Sequence, residues 1–144
     1  MKNRGHKIKF RGGKDANKML MRKLASNFLT HGKMETTKNK AKAAQSIVEK
    51  LVTKAKKNSE ADRNFILKHI TTMKVATLLL SQIAPLLQKV ESGYTRLIFL
   101  GRRSTDGAEV ARLEWAYPVV LEEPKKKTPK QKTTKEDLKQ KDTN

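Results

Sequence analysis

Cysteine is absent from the 144 residues. That removes disulfide frameworks and thiolate zinc sites from consideration, and it suits a reducing compartment. Aromatics make up only 5% of the chain, too few to give a surface-binding amphipathic helix its usual anchors, so a membrane-surface or acidic-protein adaptor is a poor third reading. Apolar runs such as Leu78-Leu79-Leu80 fall far short of the roughly 20 residues that a spanning helix needs. The start of the chain, Met1 to Phe10, is basic but has no apolar core segment, so no signal peptide or transit-like presequence is expected. The seven glycines are scattered apart from Gly12-Gly13, and the three histidines His6, His31 and His69 show no ligand spacing. No nucleophile elbow and no phosphate-cradling glycine loop is present. The expectation is therefore no enzyme, no metal, no cofactor and no small-molecule substrate.

Acid is scarce as well. There are 14 Asp and Glu against 33 Lys and Arg, a net charge of +19. A compact domain this cationic repels itself, and a polyanion is its natural partner, nucleic acid first. The charge is uneven: residues 1–42 carry 13 basic and 2 acidic side chains, residues 43–121 carry 12 and 7, and residues 122–144 carry 8 and 5. The first third is the anion-binding end.

Residues 1–14 read as a basic arm, with little to bury beyond Ile8 and Phe10, that orders on a partner. A single α+β domain is expected over 15–121, and a disordered basic tail over 122–144. Within the domain, Leu20, Leu24 and Phe28 recur at helical spacing after Asp15, an expected N-cap, and Gly32 is a stop signal. A short strand at Lys33–Thr36 precedes a helix over 37–57 with Ala44, Ile47, Val48, Leu51 and Ala55 on its apolar face. A third helix follows Ser59, and a fourth runs over 72–84 until Pro85 bends or ends it. The period then changes. Residues 94–100 are β-rich and residues 109–117 alternate, with Ala111, Leu113, Trp115 and Tyr117 on one face, so the two read as a hairpin around Asp106-Gly107. Segregated helices and strands favour α+β.

Two segments resemble the bacterial-type large ribosomal subunit protein seventeen family. One runs through Leu24-Ala25, His31, Glu35-Thr36-Thr37 and Lys40-Ala41-Lys42; the other is Gly93-Tyr94-Thr95-Arg96-Leu97 with Gly101, Arg103 and Asp106. The match covers roughly residues 1–117 and departs at Lys14-Asp15-Ala16-Asn17-Lys18, where the family has a Ser-Ser-His-Arg type of run. The resemblance implies a two-layer α+β fold whose hairpin completes a small mixed sheet with the short strand. It also implies a structural constituent of the ribosome that binds large-subunit ribosomal RNA beside neighbouring ribosomal proteins; a bacterial or an organellar ribosome would fit the family, and the lack of a transit-like presequence favours the bacterial cytoplasm. A free architectural nucleic-acid-binding protein is the alternative.

The candidate RNA contacts are Lys2, Arg4, Lys7, Lys9, Arg11 and Lys14 of the arm, and Lys18 and Arg22, which continue a basic stripe from Lys14. His31, Thr36 and Lys38, Lys40 and Lys42 follow, then Tyr94, Arg96, Arg102 and Arg103 of the hairpin. Lysines 38, 40 and 42 crowd a helix start that prefers acids, and phosphate would compensate them there. Arginine grips phosphate as a planar fork. Two readings stay open for Tyr94, stacking on a base or packing on the sheet. Thr37 reads equally as a plain N-cap, and Trp115 reads as core.

Overall fold

The computed structural model describes residues 10–119. The arm candidates Lys2, Arg4, Lys7 and Lys9 and the tail 122–144 lie outside the described residues. Helix α1 (Lys14–His31) takes its N-cap from Gly13 and not from Asp15. Asp15 sits in the first turn, where a carboxylate still complements the helix dipole, and the Asn17 amide ties the entering chain by donating to the Gly12 carbonyl at 2.7 Å. Lys14 thus belongs to the helix and not to an arm. Gly32 stops α1 as expected. It adopts φ 73° and donates its N–H to the Phe28 carbonyl at 2.7 Å, a left-handed cap that glycine takes without strain.

Strand β1 (Lys33–Thr37) leads into α2 (Lys38–Lys57), and α3 (Glu60–His69) follows. Ser59 caps α3. Its Oγ accepts from the Asp62 N–H at 3.2 Å and donates to the Asp62 carboxylate at 2.7 Å. Helix α4 (Met73–Leu78) passes into a π-helical turn (Leu79–Ile83) and then α5 (Ala84–Leu86). Pro85 was expected to bend or end this helix. It does: the helix widens into the π-turn just before Pro85 and ends at Leu86, one residue beyond it, with the N–H-free ring in the first positions of the last short segment, where proline is tolerated.

Strands β2 (Thr95–Arg102) and β3 (Glu109–Trp115) form the hairpin. The sheet order is β1-β3-β2 and both pairings are antiparallel, so the α+β arrangement holds but the sheet is not mixed. A bulge between Phe99 and Gly101 shifts the register, and Tyr117 lies beyond the end of β3, 43% exposed. Helix α2 packs against all three strands. Its Val48, Leu51 and Val52 meet Leu113, Met34, Phe28 and Leu29 in one buried cluster. Trp115 is core: its ring lies 4.7 Å from that of Phe28.

Candidate nucleic-acid interface

Positions 38, 42, 45 and 49 lie along one side of α2, since three- and four-residue steps stay on one helix face. Contacts fix where that side points. Gln45 donates to the Thr95 carbonyl at 3.2 Å, and Glu49 accepts from the Thr95 N–H at 2.9 Å. At the other end, Lys38 donates to Glu109 at 2.7 Å. The side therefore faces the hairpin, with its start over the residues nearest the loop. Past the bulge, Arg102 pairs directly with Glu109, and Phe99 with Ala111. All four lie on the helix-side face of the sheet because side chains alternate. The Lys38 ammonium also sits 5.2 Å over the Phe99 ring. Lys38, Lys42 and Arg102 thus converge from two elements around one carboxylate. The hydrogen bond and charge of Lys38, with the charges of Arg102 and Lys42, hold the Glu109 carboxyl below its ordinary value.

The helix start itself is open. Thr37 is the N-cap of α2, but its side chain makes no capping bond, and the first turn holds no acid. Orphan N–H groups and a partial positive charge remain there. Lys40 is half-buried, two positions away from the Lys38–Lys42 line. On α1, Lys14 and Lys18 are exposed and Arg22 is half-buried; three- and four-residue steps put them on the same side of the helix as the buried Ala25 and Leu29, as its N-terminal continuation. Arg11 is exposed just before that helix.

Other sequence candidates do not join this surface. Tyr94 is 1% exposed. Its hydroxyl donates to the Glu91 carbonyl at 2.7 Å and accepts from Lys56 at 3.2 Å, so it offers no face to a base. Arg96 lies on the opposite sheet face, held to Glu114 at 2.6 Å. Arg103 grips Asp106 with two donors at 3.0 and 2.9 Å, and Asp106 also accepts the Ala108 N–H. That pair shapes the hairpin loop. Thr36 is half-buried on the same face as Met34. His31 is exposed at the far end of β1 from Lys38, about 17 Å away by the rise of five strand residues.

Sequence reading missed two participants, Glu109 and Phe99. The direct pairing of Arg102 with Glu109 would have required knowledge of the bulge. The sheet's outer face carries the rows Lys33–Glu114–Arg96 and Glu35–Arg112–Ile98, with Arg112 held to Glu35 at 2.6 Å. Its arginines are neutralised in place. Among the described residues, no group of three His, Asp or Glu side chains comes together to hold a metal ion, and no helix is long and apolar enough to cross a membrane.

A small basic α+β domain with unpaired cations gathered at one helix start and beside a hairpin is of the polyanion-binding, structural class. A family profile described as Ribosomal protein L17 matches residues 20–116. Curated relatives include Large ribosomal subunit protein bL17 of Clostridium botulinum, 42% identical over 100 residues, covering 69% of this chain and 88% of that protein. The bL17 of Natranaerobius thermophilus is 42% identical over 106 residues, covering 74% and 94%. The bL17 of Clostridium perfringens is 41% identical over 100 residues, covering 69% and 88%. The chain belongs to the ribosomal protein L17 family. It is a structural constituent of the large ribosomal subunit, placed by its bacterial relatives in the cytoplasm, and not an enzyme. The profile begins at Leu20, after the Lys14–Lys18 segment at which the resemblance departs.

Proposed function

We propose that the chain binds and stabilises folded large-subunit ribosomal RNA and meets neighbouring ribosomal proteins, supporting subunit assembly and translation. The observation that carries this reading is the division of its charge. Lys14, Lys18, Lys42 and Arg102 have no ion pair among the described residues, whereas Arg96, Arg103 and Arg112 are committed to carboxylates within the fold. Unpaired lysines release counterions when they meet phosphate; paired arginines hold the platform that presents them. The exposed Arg11 adds a further cation, and Lys2, Arg4, Lys7 and Lys9, outside the described residues, are proposed as RNA contacts by their charge alone. Ile98, Phe99 and Leu100, exposed on the edge strand β2, are the part suited to a protein neighbour, since phosphate gains nothing from apolar contact.

Sedimentation of the endogenous protein through sucrose gradients tests the reading. Stoichiometric comigration with large subunits that survives a wash in about 0.5 M salt is the expected result. A weakly held binder loses several powers of ten in affinity as salt rises. Recovery at the top of the gradient would favour a free architectural nucleic-acid-binding protein instead.

A further inference from the structure

We propose that Glu109 makes Lys38 a conditional phosphate ligand. The carboxylate holds Lys38 until RNA engages Lys42 and Arg102 together, and so sets a preference for folded RNA over flexible strands. This rests on the RNA-binding reading above.

The geometry is a cluster of three cations and one anion. Lys38 reaches Glu109 at 2.7 Å, and the two side chains remain 34% and 50% exposed, open to an incoming group. Lys42 lies one turn along the same side of α2, and Arg102 faces Glu109 across the hairpin. A single phosphate that approaches Lys38 must displace a carboxylate and stay near its charge. RNA that presents phosphates to Lys42 and Arg102 together gains two unpaired cations first, and only then competes for Lys38. A folded backbone holds such phosphates in place beforehand, whereas a flexible strand must be ordered to do so. The repulsion from Glu109 falls on both, and only the ordered ligand offsets it. Specificity of this kind comes from an unfavourable element as much as from a favourable one. The Phe99 ring under the ammonium keeps Lys38 at the edge of the cluster instead of free in solvent.

The full chain, with Glu109→Gln, Lys38→Met and the double variant, is titrated against deproteinised large-subunit RNA and against poly(U) over a range of salt. Circular dichroism confirms that each variant is folded, and Lys38→Arg, which keeps the pair, should behave as the parent. Glu60→Gln serves as the control for net charge, since Glu60 is exposed on α3 and outside this cluster. Glu109→Gln is expected to tighten poly(U) binding by up to about fivefold, the strength of an exposed ion pair, and to affect the ribosomal RNA less. Its salt dependence on poly(U) should steepen by about one counterion. In the Lys38→Met background the effect should shrink to the smaller part that comes from Glu109's repulsion of phosphate at Lys42 and Arg102, and the steeper salt dependence should be lost. Equal tightening on both RNAs, an effect matched by Glu60→Gln, or tightening and steepening as large without Lys38 as with it would overturn the proposal. Failure of the parent chain to bind either RNA would be a separate result, and would remove the RNA-binding reading along with this one.

Discussion

Glu49 of α2 accepts three hydrogen bonds at the first residues of β2, two of them from Thr95. The Thr95 N–H donates at 2.9 Å, the Thr95 hydroxyl at 2.7 Å, and the Tyr94 N–H at 3.3 Å. Thr95 is 5% exposed, so water is a poor substitute. The carboxylate sets where the hairpin begins along the helix, and through that which hairpin residues stand opposite Lys38.

Glu49→Ala should therefore destabilise the fold by about 2–3 kcal/mol, the cost of leaving buried donors without a charged acceptor. Urea denaturation measures it. Glu49→Gln should lose less, since one amide oxygen still accepts. A loss within error for both would mean that the hairpin start is held by packing alone.

Phe28→Ala should cost about 3–5 kcal/mol, because it opens a cavity against Trp115. The chain has one tryptophan, so its emission reports that packing directly. A red-shifted spectrum at low denaturant is the expected signature, and a parent-like spectrum would contradict the packing described here.

Arg102→Ala should lower the salt dependence of RNA binding by about one counterion. Arg96→Ala should leave it almost unchanged, because Arg96 is bound to Glu114 on the other face of the sheet. Filter binding at several salt concentrations separates the two. Equal slopes for both variants would argue against a helix-side interface.

Acid should unfold the protein through carboxylates that the fold holds ionised. Asp62 is lowered from its ordinary value by its hydrogen bond to Lys54, then by that to Ser59. Asp106 is lowered chiefly by Arg103, and Glu109 chiefly by Lys38. A carboxyl with a depressed folded value contributes stability above its unfolded pKa and loses it as pH falls through the folded one. Stability should thus decline from about pH 4 downward. Asp62→Asn should make that decline shallower, read from thermal midpoints between about pH 2 and 6.

The helices were legible because their signals are local. Leucines and Phe28 at four-residue steps, Gly32 at a helix end and Ser59 before Asp62 each act within one or two turns. The alternation of Ala111, Leu113 and Trp115 likewise announced a half-buried strand. What escaped depends on distant partners. Lys38 meets Glu109 across 71 positions and Arg112 meets Glu35 across 77, and neither follows without the strand order. The bulge after Phe99 decides which hairpin residues face α2; its one local mark is Gly101, at φ 99° within the strand, which reads equally as the start of the hairpin loop. Tyr94 looked available for a base because its motif sits at a strand entry; the Glu91 contact of its hydroxyl is local, but the Lys56 contact that accompanies its burial comes from α2. Charge composition pointed to the basic surface, but which arginines were already occupied emerged only from the sheet.

The central strand of the sheet is the last of the described strands in chain order. During synthesis β1 is finished at Thr37, yet its partner starts only at Glu109, roughly 4–14 s later at about 5–20 residues per second. Over that interval the nascent helices have no sheet to cover, and the β1 backbone has no ladder to join. The fold is thus assembled from its tail end inward: nearly the whole domain must leave the exit tunnel before its layers can meet. A stall anywhere between those strands leaves a chain rich in helix with an unfinished core, a species that folding helpers would have to shelter.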